Sequence, residues 1–279
     1  MQGVSAAERL CYYRGMLACA AALLLAFTAV AAHPDQLATA RRLYNQGEYD
    51  QALIAAHEAE ADPATVSSAR LVIARIRLER YRRTADGTDL SDARTALRSI
   101  DARALDAREH TELQVGLAEI LYLDDDFGAA AEMFEPVLAS TGALGADAHD
   151  RALDWWATSL DRQAQTVPAA DRPPAYRRVA AVMEEELRRD PNSPVANYWI
   201  AAAARGAGDL ERAMSAASAA WVRASLMRDR GTALRTDIDR LVTLAVIPER
   251  AQRMATRDKR QAANEMLAEW ESFKSAWNK

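Results

Sequence analysis

The feature that most constrains this chain is a short pattern that returns along it. It reads Asn45-Gln46-Gly47-Glu48-Tyr49-Asp50-Gln51-Ala52-Leu53, then Asp125-Asp126-Phe127-Gly128-Ala129-Ala130, then Gly208-Asp209-Leu210-Glu211-Arg212-Ala213, with a weaker copy at Thr88-Asp89-Leu90-Ser91-Asp92-Ala93. An acid is followed by an aromatic residue or leucine, and an alanine stands three positions further on. Glycine relieves a tight link between antiparallel helices. The acid accepts free N–H groups at a helix start. The large side chain plugs the gap between two helices, and the alanine lets their backbones approach. Ala56 and Ala59, Phe134 and Val137, and Ala217 and Ala220 continue an inward stripe at helical spacing. A unit repeated in this way builds a stack of helix pairs, each contacting its neighbours. Composition agrees: half the residues are apolar, alanine and leucine lead, and only 11 Gly and 9 Pro interrupt them.

This turn and second-helix start resemble those of tetratricopeptide repeats, and Asp62-Pro63 and Asp190-Pro191-Asn192-Ser193-Pro194 resemble that family's end-of-repeat turns. The resemblance implies an all-α fold, a right-handed α-solenoid of antiparallel helix pairs. Five pairs are expected, over 34–62, 64–101, 105–140, 146–190 and 194–226, within a repeat domain spanning 33–227. The first helices show apolar faces at Leu113, Leu117, Ala118 and Leu121, at Leu153, Trp156, Ala157 and Leu160, and at Tyr198, Trp199, Ile200 and Ala204. Three departures are expected: a longer inner loop from Thr84 to Asp89, a Pro-rich link from Gln163 to Pro174, and a bend or stop at Pro136.

Residues 228–279 read as helices that cap the solenoid. Gly231 to Ala245 predicts one helix with Leu234, Ile238, Leu241 and Leu244 on its apolar face, broken at Pro248. Glu249 to Trp277 predicts a long capping helix whose Met266, Trp270, Phe273 and Trp277 cover the open end of the last repeat. A partner-docking or dimerising helix is the alternative. Arg250, Arg253, Arg257 and Arg260 recur near one face of that helix, read as a solvated face with Glu249 and Asp258 as counterions.

Residues 1–32 read as a bacterial secretory signal peptide. Arg9 and Arg14 precede an apolar core from Met16 to Val30, and small residues end at Ala31 or Ala32. The expected location is therefore periplasmic or secreted, with no stable membrane span after cleavage. Both cysteines, Cys11 and Cys19, would leave with the signal, so disulfide and thiolate chemistry are excluded from the mature chain. A net charge of −5 spread along the chain argues against nucleic acid.

No catalytic constellation is present. His57-Glu58 lacks the second histidine of a zinc-protease helix, and His33, His110 and His149 read as surface residues. Asp124-Asp125-Asp126 lacks the spacing of a calcium loop and sits in a repeat turn. No catalytic, cofactor-binding or metal-binding residue is assigned, and an enzyme is not expected. The resemblance instead implies a groove on the first helices that holds a protein or peptide partner of the cell envelope. Its side chains would be Arg41, Tyr44, Asn45, Glu112, Glu119, Tyr122, Arg151, Asp154, Arg162, Tyr198 and Arg205. The alternative is a solute-handling component of a periplasmic transport system, with Trp155, Trp156, Trp199 and Trp221 lining a pocket. Those tryptophans are otherwise core residues. Oligomeric state is left open.

Overall fold

The helices come in neighbouring pairs. They are α1 (Gln36–Asn45) with α2 (Tyr49–Ala59), α3 (Val66–Thr84) with α4 (Gly87–Arg98), α5 (Ala107–Leu123) with α6 (Phe127–Phe134), α7 (Ala146–Gln165) with α8 (Pro173–Arg189), and α9 (Pro194–Gly206) with α10 (Leu210–Ala224). Then follow α11 (Thr232–Leu241), α12 (Ile247–Arg253) and α13 (Lys259–Ala276). This computed structural model describes residues 35–227, 231–255 and 258–277, and no described residue lies in a strand. The signal-peptide reading, with Cys11, Cys19 and His33, falls outside the described residues, as does Arg257. The five pairs fall within the five segments read from the sequence.

Three copies of the recurring pattern make the same turn. Gly47, Asp125 and Gly208 all take left-handed backbone angles, with φ of 79°, 59° and 83°. The next amide reaches back five residues: Glu48 N–H donates to the Leu43 carbonyl (3.0 Å), Asp126 to Leu121 (2.9 Å) and Asp209 to Ala204 (2.9 Å). These bonds satisfy carbonyls that a helix end leaves open and reverse the chain within one turn. Asp126 and Asp209 then cap the second helix through Ala129 and Arg212 N–H. The alanine of each copy, Ala52, Ala130 and Ala213, is fully buried.

The second pair differs from expectation. α3 continues to Thr84, so the link is only Ala85-Asp86, and Ala85 itself adopts the left-handed conformation (φ 55°). Helix α4 therefore starts one turn earlier than the pattern suggests, with Asp86 as its cap. Asp89 lies inside its first turn, buried and held by Arg77 (2.6 Å) and Arg80 (3.2 Å) of α3. In the third pair α6 stops at Phe134, and the chain tightens into a 3₁₀ stretch over Glu135–Leu144 that begins beside Pro136.

Successive pairs stack through their first helices, α1 on α3, α3 on α5, α5 on α7, α7 on α9 and α9 on α11. Each second helix also packs against the next first helix. Apolar residues bury continuously along this stack, with Phe134, Trp156, Val179 and Met183 wholly enclosed near its middle.

The C-terminal part departs most from its sequence pattern. Pro248 does not break the helix. Its ring and missing N–H would conflict with an α-helical carbonyl four residues earlier. The backbone instead widens into a π turn over Val242–Val246, where Ile247 N–H bonds to the Val242 carbonyl. The extra residue rotates the apolar stripe: Val242, Val246 and Ile247 are buried, whereas Leu244 is 76% exposed. The expected long helix is two. α12 ends at Arg253, and α13 begins only at Lys259. The arginines therefore do not share one helix face: Arg250 pairs with Glu211 (2.7 Å) and Arg253 donates to the Gly208 carbonyl (2.6 Å). Met266 and Trp270 of α13 are buried in one cluster with Trp221 of α10, Trp270 stacks on Phe273, and Trp277 remains half exposed.

Two substitutions test this geometry. Ala85→Gly relieves a left-handed non-glycine residue and is expected to raise unfolding free energy by about 0.5 kcal/mol, after the entropy of a freer unfolded chain is subtracted. Gly206→Ala would place a methyl 2.4–2.6 Å from the Tyr176 ring and is expected to cost about 2 kcal/mol. Urea denaturation followed by circular dichroism measures both.

Candidate functional site

Arginines at 70, 75, 77, 80, 82 and 83 surround α3. Arg75, Glu79 and Arg82, at i, i+4 and i+7, share one side of the helix and meet α5 and α7. Arg75 donates to Glu112 of α5 (2.9 Å) and lies 4.4 Å over the ring of Tyr44 on α1. Arg82 joins Glu79 to Glu119 of α5, and its guanidinium sits 5.5 Å from the Trp155 ring on α7. Arg41 closes the upper edge by pairing with Glu109. Arg151 of α7 is held more loosely, 3.6 Å from Glu79 and 5.9 Å from the Trp155 ring centre.

Burial gives the two acids around Arg82 opposite behaviour. Glu119 is almost wholly enclosed, and desolvation raises its pKa against the attraction of Arg82. At Glu79 desolvation also pushes upward. There the Arg82 hydrogen bond and the charges of Arg82, Arg151 and Arg83 outweigh it, so the pKa is lowered. Desolvation works against the charge on Arg82, but Glu119 and Glu79 together hold its pKa above the ordinary value.

A cavity of about 440 Å³ opens between these helices, bounded by Tyr44, Asn45, Arg75, Arg82, Glu112, Glu119, Arg151, Trp155 and residues 144–148, where the 3₁₀ stretch passes into α7. A smaller space of about 240 Å³ shares Tyr44, Asn45, Arg75 and Glu112 with it and adds Arg41 and Glu109. Further along α7, a second cavity of about 670 Å³ is bounded by Asp154, Asp161, Arg162, Tyr198, Trp199 and Asp237, from α7, α9 and α11. Trp199 Nε1 donates to Asp154 (2.8 Å), and the Tyr176 hydroxyl donates to Asp161 (2.8 Å). Burial raises the pKa of Asp154 despite the Trp199 hydrogen bond, and Asp237 adds to the rise.

The eleven residues proposed from sequence are thus divided. Arg41, Tyr44, Asn45, Glu112, Glu119 and Arg151 meet at the first cavity and its extension. Asp154, Arg162 and Tyr198 border the second. Tyr122 borders neither, since its ring packs between Phe127 (5.8 Å) and Trp155 (5.9 Å). Arg205 is spent on Glu249 of α12, with Nε 2.9 Å from Oε1. Sequence reading missed Arg75, Glu79 and Arg82, although their spacing on a helix rich in arginine was the available signal.

The four tryptophans do not share a pocket. Trp155 borders the first cavity and Trp199 the second, while Trp156 is enclosed in the core and Trp221 packs edge-on against Trp270 (5.6 Å). His149 is not a surface residue. It is mostly buried, with Nδ1 2.6 Å from Thr141 Oγ1 and Nε2 3.1 Å from Glu186. His57 is exposed and sits 2.8 Å from Glu60. Asp124 is bound by Arg94 (2.6 Å), and Asp125 and Asp126 form the turn already described. Among the described residues, no group of three or more His, Cys, Asp or Glu is arranged to hold a metal ion, and no helix is long and apolar enough to cross a membrane.

Comparison with protein-family models, with curated proteins and with solved structures finds no match to this chain.

The Arg82 cluster yields a signed pH prediction. Arg82→Ala would leave Glu119 buried without its cation and is expected to cost about 3 kcal/mol at pH 7. The folded-state pKa of Glu119, already raised, would rise further. Stability from such a group is present below its unfolded pKa and lost as pH rises through the folded one. The deficit of the variant should therefore shrink as pH falls from 7 towards the ordinary glutamate range. Urea titrations of both proteins at several pH values check this, and a deficit independent of pH would contradict it.

Proposed function

We propose that this protein is an exported, non-catalytic scaffold of tetratricopeptide-like helix pairs arranged as a right-handed solenoid. In this reading it holds a protein or peptide of the cell envelope against its first helices. One observation carries the reading: six of the residues picked out from the repeat pattern alone, on α1, α5 and α7, come together around one cavity and its extension. Their chemistry suits recognition. Tyr44 and Trp155 offer large surfaces with few rotatable bonds, and Arg151 keeps a guanidinium that makes no hydrogen bond among the described residues. Much of the remaining charge is already paired across helices, so the groove presents a preformed shape that costs little to order on binding. The left-handed turns support the family assignment, and the apolar segment at residues 16–30 supports export.

Affinity capture from envelope extracts tests the reading. Wild type is expected to retain a partner that Tyr44→Ala/Arg151→Ala loses by about tenfold or more. Equal recovery by the two forms, with both folded by circular dichroism, would remove the groove from consideration.

A further inference from the structure

This chain builds one arrangement repeatedly: an aromatic face beside a carboxylate, filled by a cation. Tyr44 with Glu112 takes Arg75, Trp155 with Glu119 takes Arg82, and Trp221 with Asp239 takes Lys274. Ring quadrupole and carboxylate both attract the same positive charge, which explains why each is occupied.

The second cavity carries the same ingredients, but among the described residues no cation is bonded to its carboxylates. Tyr198 and Trp199 supply the aromatic wall, their rings edge to face at 5.5 Å. Asp154, Asp161 and Asp237 supply three carboxylates, and among the described residues none of them forms an ion pair. Asp154 is instead oriented by the Trp199 indole N–H at 2.8 Å. Their shared negative field is felt locally: after burial, Asp237, Asp154 and Asp161 each raise the pKa of the Tyr198 hydroxyl. Arg162 borders the cavity but is exposed and bonded to none of the three. About 670 Å³ of space remains, enough for an extended basic side chain and its neighbours.

We propose that this cavity receives an arginine or lysine side chain from the partner segment that lies along the first helices. The inference rests on the scaffold reading and gives the partner a chemistry: a positively charged residue, placed where α7, α9 and α11 meet. Salt should weaken this contact, because the opposing charges are partly open to solvent.

The test uses the whole chain and a short, otherwise uncharged peptide carrying two arginines, titrated by intrinsic tryptophan fluorescence. The control peptide carries citrulline, which keeps the shape and removes the charge. The arginine peptide is expected to bind saturably, about tenfold more tightly than the citrulline peptide, and more weakly at high salt. Asp237→Asn, an exposed change, and Asp154→Asn, which keeps an oxygen for Trp199, should each weaken it several-fold, whereas Arg162→Gln should strengthen it. Equal binding of the two peptides, or unchanged affinity in both aspartate variants, would overturn the proposal. So would spermidine binding as tightly as the peptide, since that would assign the cavity to a small solute. Loss of this peptide contact while Tyr44→Ala/Arg151→Ala still abolishes envelope capture would sink the basic-residue inference alone. The converse result would sink the first-cavity reading alone.

Discussion

A residue in the left-handed conformation, set between the two helices of a pair, is the constraint on which the rest of the structure depends. Gly47, Ala85, Asp125 and Gly208 occupy that place in four of the pairs. At three of them the following amide bonds back to a carbonyl five residues earlier, which closes the first helix and sends the second back along it. Once that reversal is set at Gly47, Asp125 and Gly208, the alanine five positions later is fully buried against the partner helix, and larger side chains from the next pair fill what remains. In these four pairs the turn sets how the second helix lies against the first, and so which side chains meet between them.

Between pairs, the binding force changes character. Alanines and a few large residues bury the apolar seam, but arginine–carboxylate pairs stitch the first helices together: Arg41 to Glu109, Arg75 to Glu112 and Arg82 to Glu119. Such pairs are worth less than their number suggests, because each ion is partly removed from water. Their larger effect is orientation. They hold Tyr44 and Trp155 as walls of an open cavity and leave Arg151 comparatively free. At the far end of α7, Asp154, Asp161 and Asp237 gather around Tyr198, and the arginine that borders them, Arg162, is bonded to none of the three.

Much of the architecture was legible because it is written in local chemistry. Glycine or an acid at a turn, alanine at the crossing point and an apolar stripe are all short-range signals, and the helix pairs follow from them. The failures share a physical cause: each involves a backbone adjustment that shifts phase. Ala85 makes a left-handed link where a longer loop from Thr84 to Asp89 is expected, so α4 begins a turn early and Asp89 is a buried anchor. A π turn before Pro248 swung Leu244 into solvent. The site was half legible. Positions on first helices could be chosen from the repeat, but pairing across helices could not, so Arg205 was chosen though Glu249 holds it, and Arg75 and Arg82 were overlooked.

The central claim is that a partner lies on the first helices and not on the outer ones. Site-specific photo-crosslinking in envelope extracts addresses it most directly, with the reactive side chain placed at Asn45, beside the first cavity, or at Ile54, exposed on α2. The account predicts a discrete crosslinked product from position 45 and none from position 54. A product from position 54 alone would contradict it.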